Sequence, residues 1–124
     1  MRSPSRKLTV VLALIATLPL TLGVYAAEAP RKLTKVESKQ VCMINEQYME
    51  KDQIPVEVDG RMYYGCCAMC VEKLNQNEKS RYAIDPLSGK KVDKALAVIA
   101  ADEDFNVYYF ENDKNLKAFN EKAE

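Results

Sequence analysis

The chain predicts an α+β fold made of two tandem small modules, each a knuckle or turn, a β-hairpin and a C-terminal helix. Three observations carry that prediction. Asp59-Gly60, set between Val56-Glu57-Val58 and Met62-Tyr63-Tyr64, is a strong tight-hairpin signal, because glycine accepts the positive φ that such a turn needs. Apolar residues at helical spacing follow: Cys67, Cys70, Val71 and Leu74, and later Leu116 and Phe119. The pattern also occurs twice, since Tyr63-Tyr64 lies over Tyr108-Tyr109 at an offset of 45 residues.

Taken in order, the N-terminus has the three parts of an export signal. Arg2, Arg6 and Lys7 form a positive region, Leu8 to Leu22 an uncharged and mostly apolar one, and Val24-Tyr25-Ala26 a small-residue cleavage site. The expectation is a signal peptide over residues 1–26, cut after Ala26, and a product that is periplasmic or secreted. The alternative, an uncleaved anchor, has an apolar run shorter than the roughly 20 residues a spanning helix needs. Residues 27–39 are polar and charged and read as a flexible leader with at most a short ordered end. The first module covers residues 40–80: a knuckle at Val41-Cys42-Met43-Ile44, a hairpin over Ile54 to Tyr64, and a helix from Cys67 to Asn77. The second covers residues 81–124: a turn at Asp85-Pro86-Leu87-Ser88-Gly89-Lys90, strands over Leu96–Ala101 and Asn106–Phe110, and a helix over Asp113–Lys122. Its hairpin turn, Asp102-Glu103-Asp104 with Asn106, reads as looser, and Asn112 or Asp113 is placed to cap its helix. At the offset of 45, Cys66 falls on Glu111, Cys70 on Asn115 and Leu74 on Phe119. A one-residue gap brings Cys42 onto Ser88.

Composition narrows the function classes. The full chain carries 18 basic and 18 acidic residues, and loss of the signal's three basic residues leaves 15 against 18, a net charge of −3. A mildly acidic product without a basic stripe gives no support to nucleic-acid binding. The chain has no histidine, and no serine or cysteine has an evident base beside it, so a hydrolase is disfavoured and a non-enzymatic role expected. The membrane enters only through the signal before cleavage. A product of 98 residues is small enough to gain from a metal, a disulfide or paired modules.

The chemistry lies in four cysteines. Cys42 stands alone, 23 residues pass, and Cys66, Cys67 and Cys70 arrive directly after an aromatic strand. Cys66 ends the strand, Cys70 lies one helical turn along, and the hairpin has to bring Cys42 over to them. A helix N-terminus favours the thiolate that binds metal. Cys67 is open between a fourth ligand, an outward reactive thiol and a buried residue. Such sulfurs converge on one soft metal ion, copper(I) or zinc, or with mercury as a toxic cargo. Export also permits disulfides, so a disulfide-stabilised interaction module stands as an alternative, and the Cys67-Cys70 spacing keeps a thiol-disulfide redox protein in view. Met43, Met62 and Met69 offer thioethers suited to copper(I) but read first as packing residues, as do the tyrosines.

Cys42, the hairpin, Tyr63-Tyr64-Gly65-Cys66 and Cys70 together resemble the TRASH family of heavy-metal modules, whose pattern is one cysteine, roughly twenty residues, then Cys-x3-Cys. The stretch Asp85 to Asp93 with Tyr108-Tyr109-Phe110 is similar to the related YHS family, whose members often carry cysteine where Ser88, Glu111 and Asn115 stand here. The resemblance implies treble-clef-like modules used in metal trafficking, resistance or sensing. One metal site would lie in the first module, at Cys42, Cys66 and Cys70, which match the family pattern, and Cys67, which has no counterpart in it, is expected as the fourth ligand. The partners it implies are the metal ion and a metal transporter or other metal-handling protein. The first gap is slightly long for the family, and the second copy lacks the sulfurs, so that copy is expected to act as scaffold.

Overall fold

A computed structural model describes residues 31–124. The expected signal peptide and the start of the leader lie outside the described residues. The described residues form an α+β fold of nine short strands and two α-helices. No helix of the described residues is long and apolar enough to cross a membrane.

The first strand, β1 (Thr34–Val36), comes from the stretch expected to be a flexible leader. It pairs antiparallel with a strand more than sixty residues later, and Leu33 beside it is buried. The ordered end is therefore longer than the sequence suggested and belongs to a sheet. A polar Thr-Lys-Val segment has no alternating pattern of its own, and its partner strand supplies the order.

A set of four strands and a helix then occurs twice. The first set is β2 (Val41–Cys42) paired with β3 (Gln47–Tyr48), β4 (Ile54–Val58) paired with β5 (Arg61–Gly65), and α1 (Ala68–Gln76). The second is β6 (Tyr82–Ile84) with β7 (Lys91–Asp93), β8 (Val98–Ala101) with β9 (Val107–Phe110), and α2 (Asp113–Lys122). The strand β1 joins the far edge of β8, giving the sheet order β1-β8-β9. Both hairpin turns use positive φ. Asp59 and Gly60 lie at φ 51° and 75°, the two-residue turn that Asp-Gly favours. The second turn is one residue longer and puts Phe105 at φ 65°. Asp102 stabilises it by accepting from the N–H groups of Asp104 and Asn106 at 2.9 and 3.0 Å.

The two halves share a core. Val41, Met43, Val56, Tyr63 and Leu74 from the first pack with Val92, Ile99, Ala101, Val107 and Tyr109 from the second. A smaller cluster of Leu33, Ala100, Phe110 and Leu116 lies under α2, where Phe119 meets Phe110 edge-on at 5.5 Å. Backbone bonds also cross between halves: Tyr48 N–H to the Phe105 carbonyl at 2.8 Å and Val107 N–H to the Glu46 carbonyl at 3.2 Å. The buried ammonium of Lys94 is a third tie. It reaches from the second half to the Met43 carbonyl at 2.7 Å and to the Glu46 carboxylate, both on the loop that follows Cys42. The ring of Tyr109 lies below it, 5.3 Å from the ammonium to the centroid.

Candidate metal centre

Three elements deliver the sulfurs. Cys42 ends β2, fully buried, and the Met43 N–H donates to the Tyr64 carbonyl at 3.0 Å, which holds that loop against the end of β5. Cys66 follows β5 directly. Cys70 lies in the first turn of α1 and is buried. The approach of α1 to β5 depends on Gly65, since a Cβ there would lie 3.0 Å from the Cys70 Cβ and 3.1 Å from the Val71 nitrogen. The aromatic strand, the glycine and the helix start thus act together to put Cys66 beside Cys70.

The Sγ atoms of Cys42, Cys66 and Cys70 all lie within 4.8 Å of one another. Cys70 is 3.9 Å from Cys42 and 3.6 Å from Cys66. A metal with bonds of about 2.3 Å to sulfur holds its thiolates roughly 3.8 Å apart, so the triad is close to the size of a metal site. All four cysteines are free thiols. Cys67 is exposed, with its Sγ 3.4 Å from that of Cys70 and outside the triad. The Asn45 amide donates to the Cys66 sulfur at 3.2 Å. A hollow of about 260 Å³ opens over the site, lined by Ile44, Asn45, Cys67, Met69, Cys70 and Lys73. Of the three methionines near the sulfurs in sequence, Met43 is core, Met62 is exposed on its strand, and Met69 stands 80% exposed at the rim of the hollow.

Protons are unevenly shared among the sulfurs. Burial works against a charged Cys42, yet the N–H groups of Asn45 and Ile44 and the thiol of Cys66 outweigh it and hold Cys42 below the usual thiol range. Cys66 is pushed up to about 12, chiefly by its hydrogen bond to Cys42 and then by burial. Burial, followed by the contact with Cys67, raises Cys70. Cys67 is lowered, mainly by the backbone N–H of Cys70 at the start of α1. Of the three sulfurs in the triad, Cys42 therefore gives up its proton most readily, and Cys66 and Cys70 hold theirs more firmly.

The second half corrects one part of the sequence alignment. The residue in the place of Cys42 is Asp85, not Ser88. Cys42 pairs with Gln47 five residues on, and the Asp85 N–H likewise meets the Lys90 carbonyl at 2.8 Å. Within these loops Glu46 and Gly89 occupy the same position, with φ 55° and 73°. The fully buried Asp85 carboxylate accepts from the N–H groups of Leu87 and Ser88 at 2.7 and 3.1 Å. It also accepts from the Glu111 N–H at 2.8 Å and the Asn115 side-chain amide at 2.9 Å. The corresponding backbone groups, those of Ile44, Asn45 and Cys66, are the ones that lower Cys42. Glu111 and Asn115 do lie where the repeat put them. The gap runs the other way because the second half has an extra residue between knuckle and hairpin and another in the hairpin turn. No local signal fixes either insertion.

No family model, curated protein or solved structure matches the chain. Geometry and chemistry are what assign this site: a cysteine cluster that could bind a metal, with no disulfide formed in it.

Proposed function

We propose that the protein is an exported, non-enzymatic carrier of a soft metal ion, acting in metal trafficking, resistance or sensing through Cys42, Cys66 and Cys70. The observation that carries this reading is the convergence of three free sulfurs, from a loop, a strand end and a helix start, within 4.8 Å. The TRASH-like and YHS-like patterns agree with it, and the two halves correspond to the treble-clef-like modules of that resemblance. Export rests on residues 1–26, and the partner is a metal transporter or another metal-handling protein.

Copper(I) is the preferred cargo. Soft thiolates select it, whereas structural zinc is four-coordinate and would need Cys67 to complete its shell. Binding displaces the protons held on Cys66 and Cys70, so affinity rises with pH across the neutral range. The measurement is copper(I) affinity by anaerobic competition from pH 6 to 8, and a flat profile would remove proton release from the mechanism. Native mass spectrometry of the mature chain should show one bound copper. Cys42→Ser should weaken binding by more than about a hundredfold, since losing a mere supporting residue of a metal site already costs roughly 10- to 100-fold. Sulfurs that are protected in protein from its native compartment, and that yield to reductant but not to chelator, would establish the disulfide-stabilised module instead.

A further inference from the structure

Cys67 stands where the fold does not ask for a sulfur. It is the N-cap of α1, with extended backbone at φ −154° and ψ 170°, and its thiol makes no hydrogen bond of capping geometry, only a looser approach to the Cys70 N–H. Asn112 holds the same place at α2, at φ −161° and ψ 171°, and its Oδ1 accepts from the Asn115 N–H at 2.8 Å. Asn, Asp, Ser and Thr are the residues this position favours. A local rule broken beside a site points to a functional demand on that residue. Cys67 also lines the hollow over the triad and is exposed to solvent there, while Cys70 behind it is buried. Cys70 in turn is in reach of every other sulfur, at 3.4 Å from Cys67, 3.6 Å from Cys66 and 3.9 Å from Cys42. The four sulfurs thus form a path from the surface inward, with Cys70 as its junction.

We propose that Cys67 is the transfer ligand of the centre. It takes a soft metal ion from a donor bearing thiolates or thioethers and passes it across Cys70 to Cys42 and Cys66. In the step, the Cys67 thiol gives its proton to solvent as its sulfur bonds the ion, and one bond from the ion to a donor sulfur breaks. A donor thiolate released in this way takes up a proton. The ion then gains its bonds to Cys70, Cys66 and Cys42 as any protons on those sulfurs are released, its bond to Cys67 and any bond still held to the donor break, and the freed thiolates take up protons. The oxidation state of the ion does not change, so no electron acceptor is needed. The exposed Met69 thioether lies on the rim along which the donor would approach.

This rests on the soft-metal reading, and one experiment separates the two. The mature chain and its Cys67→Asn and Cys67→Ser variants are loaded anaerobically with copper(I) from a glutathione complex, then unloaded to a chromogenic copper(I) chelator, both followed by stopped flow. Asn is what the second half carries at this position, so that variant keeps the helix start. The expected result is one copper bound at unchanged equilibrium affinity in both variants, with loading and unloading slowed together by about tenfold. A loss of affinity matching a faster release would make Cys67 a permanent fourth ligand and overturn the transfer role. Unchanged rates would overturn it too. A parent chain that takes up no copper would sink the soft-metal reading itself.

Discussion

The two halves solve one problem with different atoms. In the first, the backbone N–H groups of Ile44, Asn45 and Cys66 favour the charge on the Cys42 sulfur; in the second, those of Leu87, Ser88 and Glu111 donate to the Asp85 carboxylate. Cys70 supplies a sulfur where Asn115 supplies an amide that closes the carboxylate's ring of donors. The second half is complete as it stands, because its buried charge is matched by donors. The first keeps two protons on sulfurs that have no comparable set of partners. The sulfurs are therefore not what this backbone requires; a carboxylate can hold the same loop, strand end and helix together.

The comparison breaks most visibly at Asp85. Asp85→Ala leaves three N–H groups and an amide without their acceptor, and should cost about 3 to 5 kcal/mol in urea unfolding while leaving copper stoichiometry at one if the fold survives. An effect under about 1 kcal/mol would show that the second half is not held by this carboxylate. Burial opposes the charge on Asp85, but the Asn115 amide and the N–H groups of Glu111, Ser88 and Leu87 prevail and hold it below the usual carboxylate range. A depressed carboxylate contributes its stability above the ordinary value of about 4 and loses it as pH falls through the lower folded value. Acid unfolding of Asp85→Asn should accordingly be less steep below about pH 4 than that of the parent chain.

A smaller effect is expected where the halves differ at one backbone position. Gly65 lets α1 close on β5, while the same position in the second half is the buried Phe110. Gly65→Ala should push Cys70 away and lower copper affinity by about 10-fold, the scale of a lost supporting contact at a metal site. Preserved affinity in a variant that melts with the parent would show that α1 has room to spare. The smallest change sharpens the comparison. Cys67→Asn gives α1 the cap that α2 already has, and should stabilise the metal-free protein by about 1 kcal/mol, readable as a raised thermal midpoint.

What the sequence disclosed follows the range of the interaction. The Asp59-Gly60 turn, the helix over Asp113–Lys122 and the placing of Cys66 and Cys70 at a strand end and first helical turn rest on neighbours within a few residues. The first helix differs from its expected span only at the ends, because Cys67 is its cap. Leu96, expected to begin a strand, is exposed in the turn before β8. Asp85 was hidden because Asp-Pro reads as an ordinary turn, and because the hydroxyl of Ser88 resembles a thiol more closely than a carboxylate does. β1 and the buried Lys94 had no local signature at all, since their partners lie 63 and 48 residues or more away in the chain. The triad itself was legible in sequence, but the separation of Cys67 from it was not, since spacing alone does not say on which side of a helix start a sulfur stands.

Lys94 bears on whether the centre can be transplanted. The loop that carries Cys42 is gripped from behind by an ammonium and two backbone bonds belonging to the other half. A peptide cut to the cysteine-bearing half would bring every sulfur with it and lose that grip, leaving the loop free to wander and the ion with a poorer host. The half without sulfurs is thus the splint of the half that has them, and the smallest portable version of this centre is the whole folded chain.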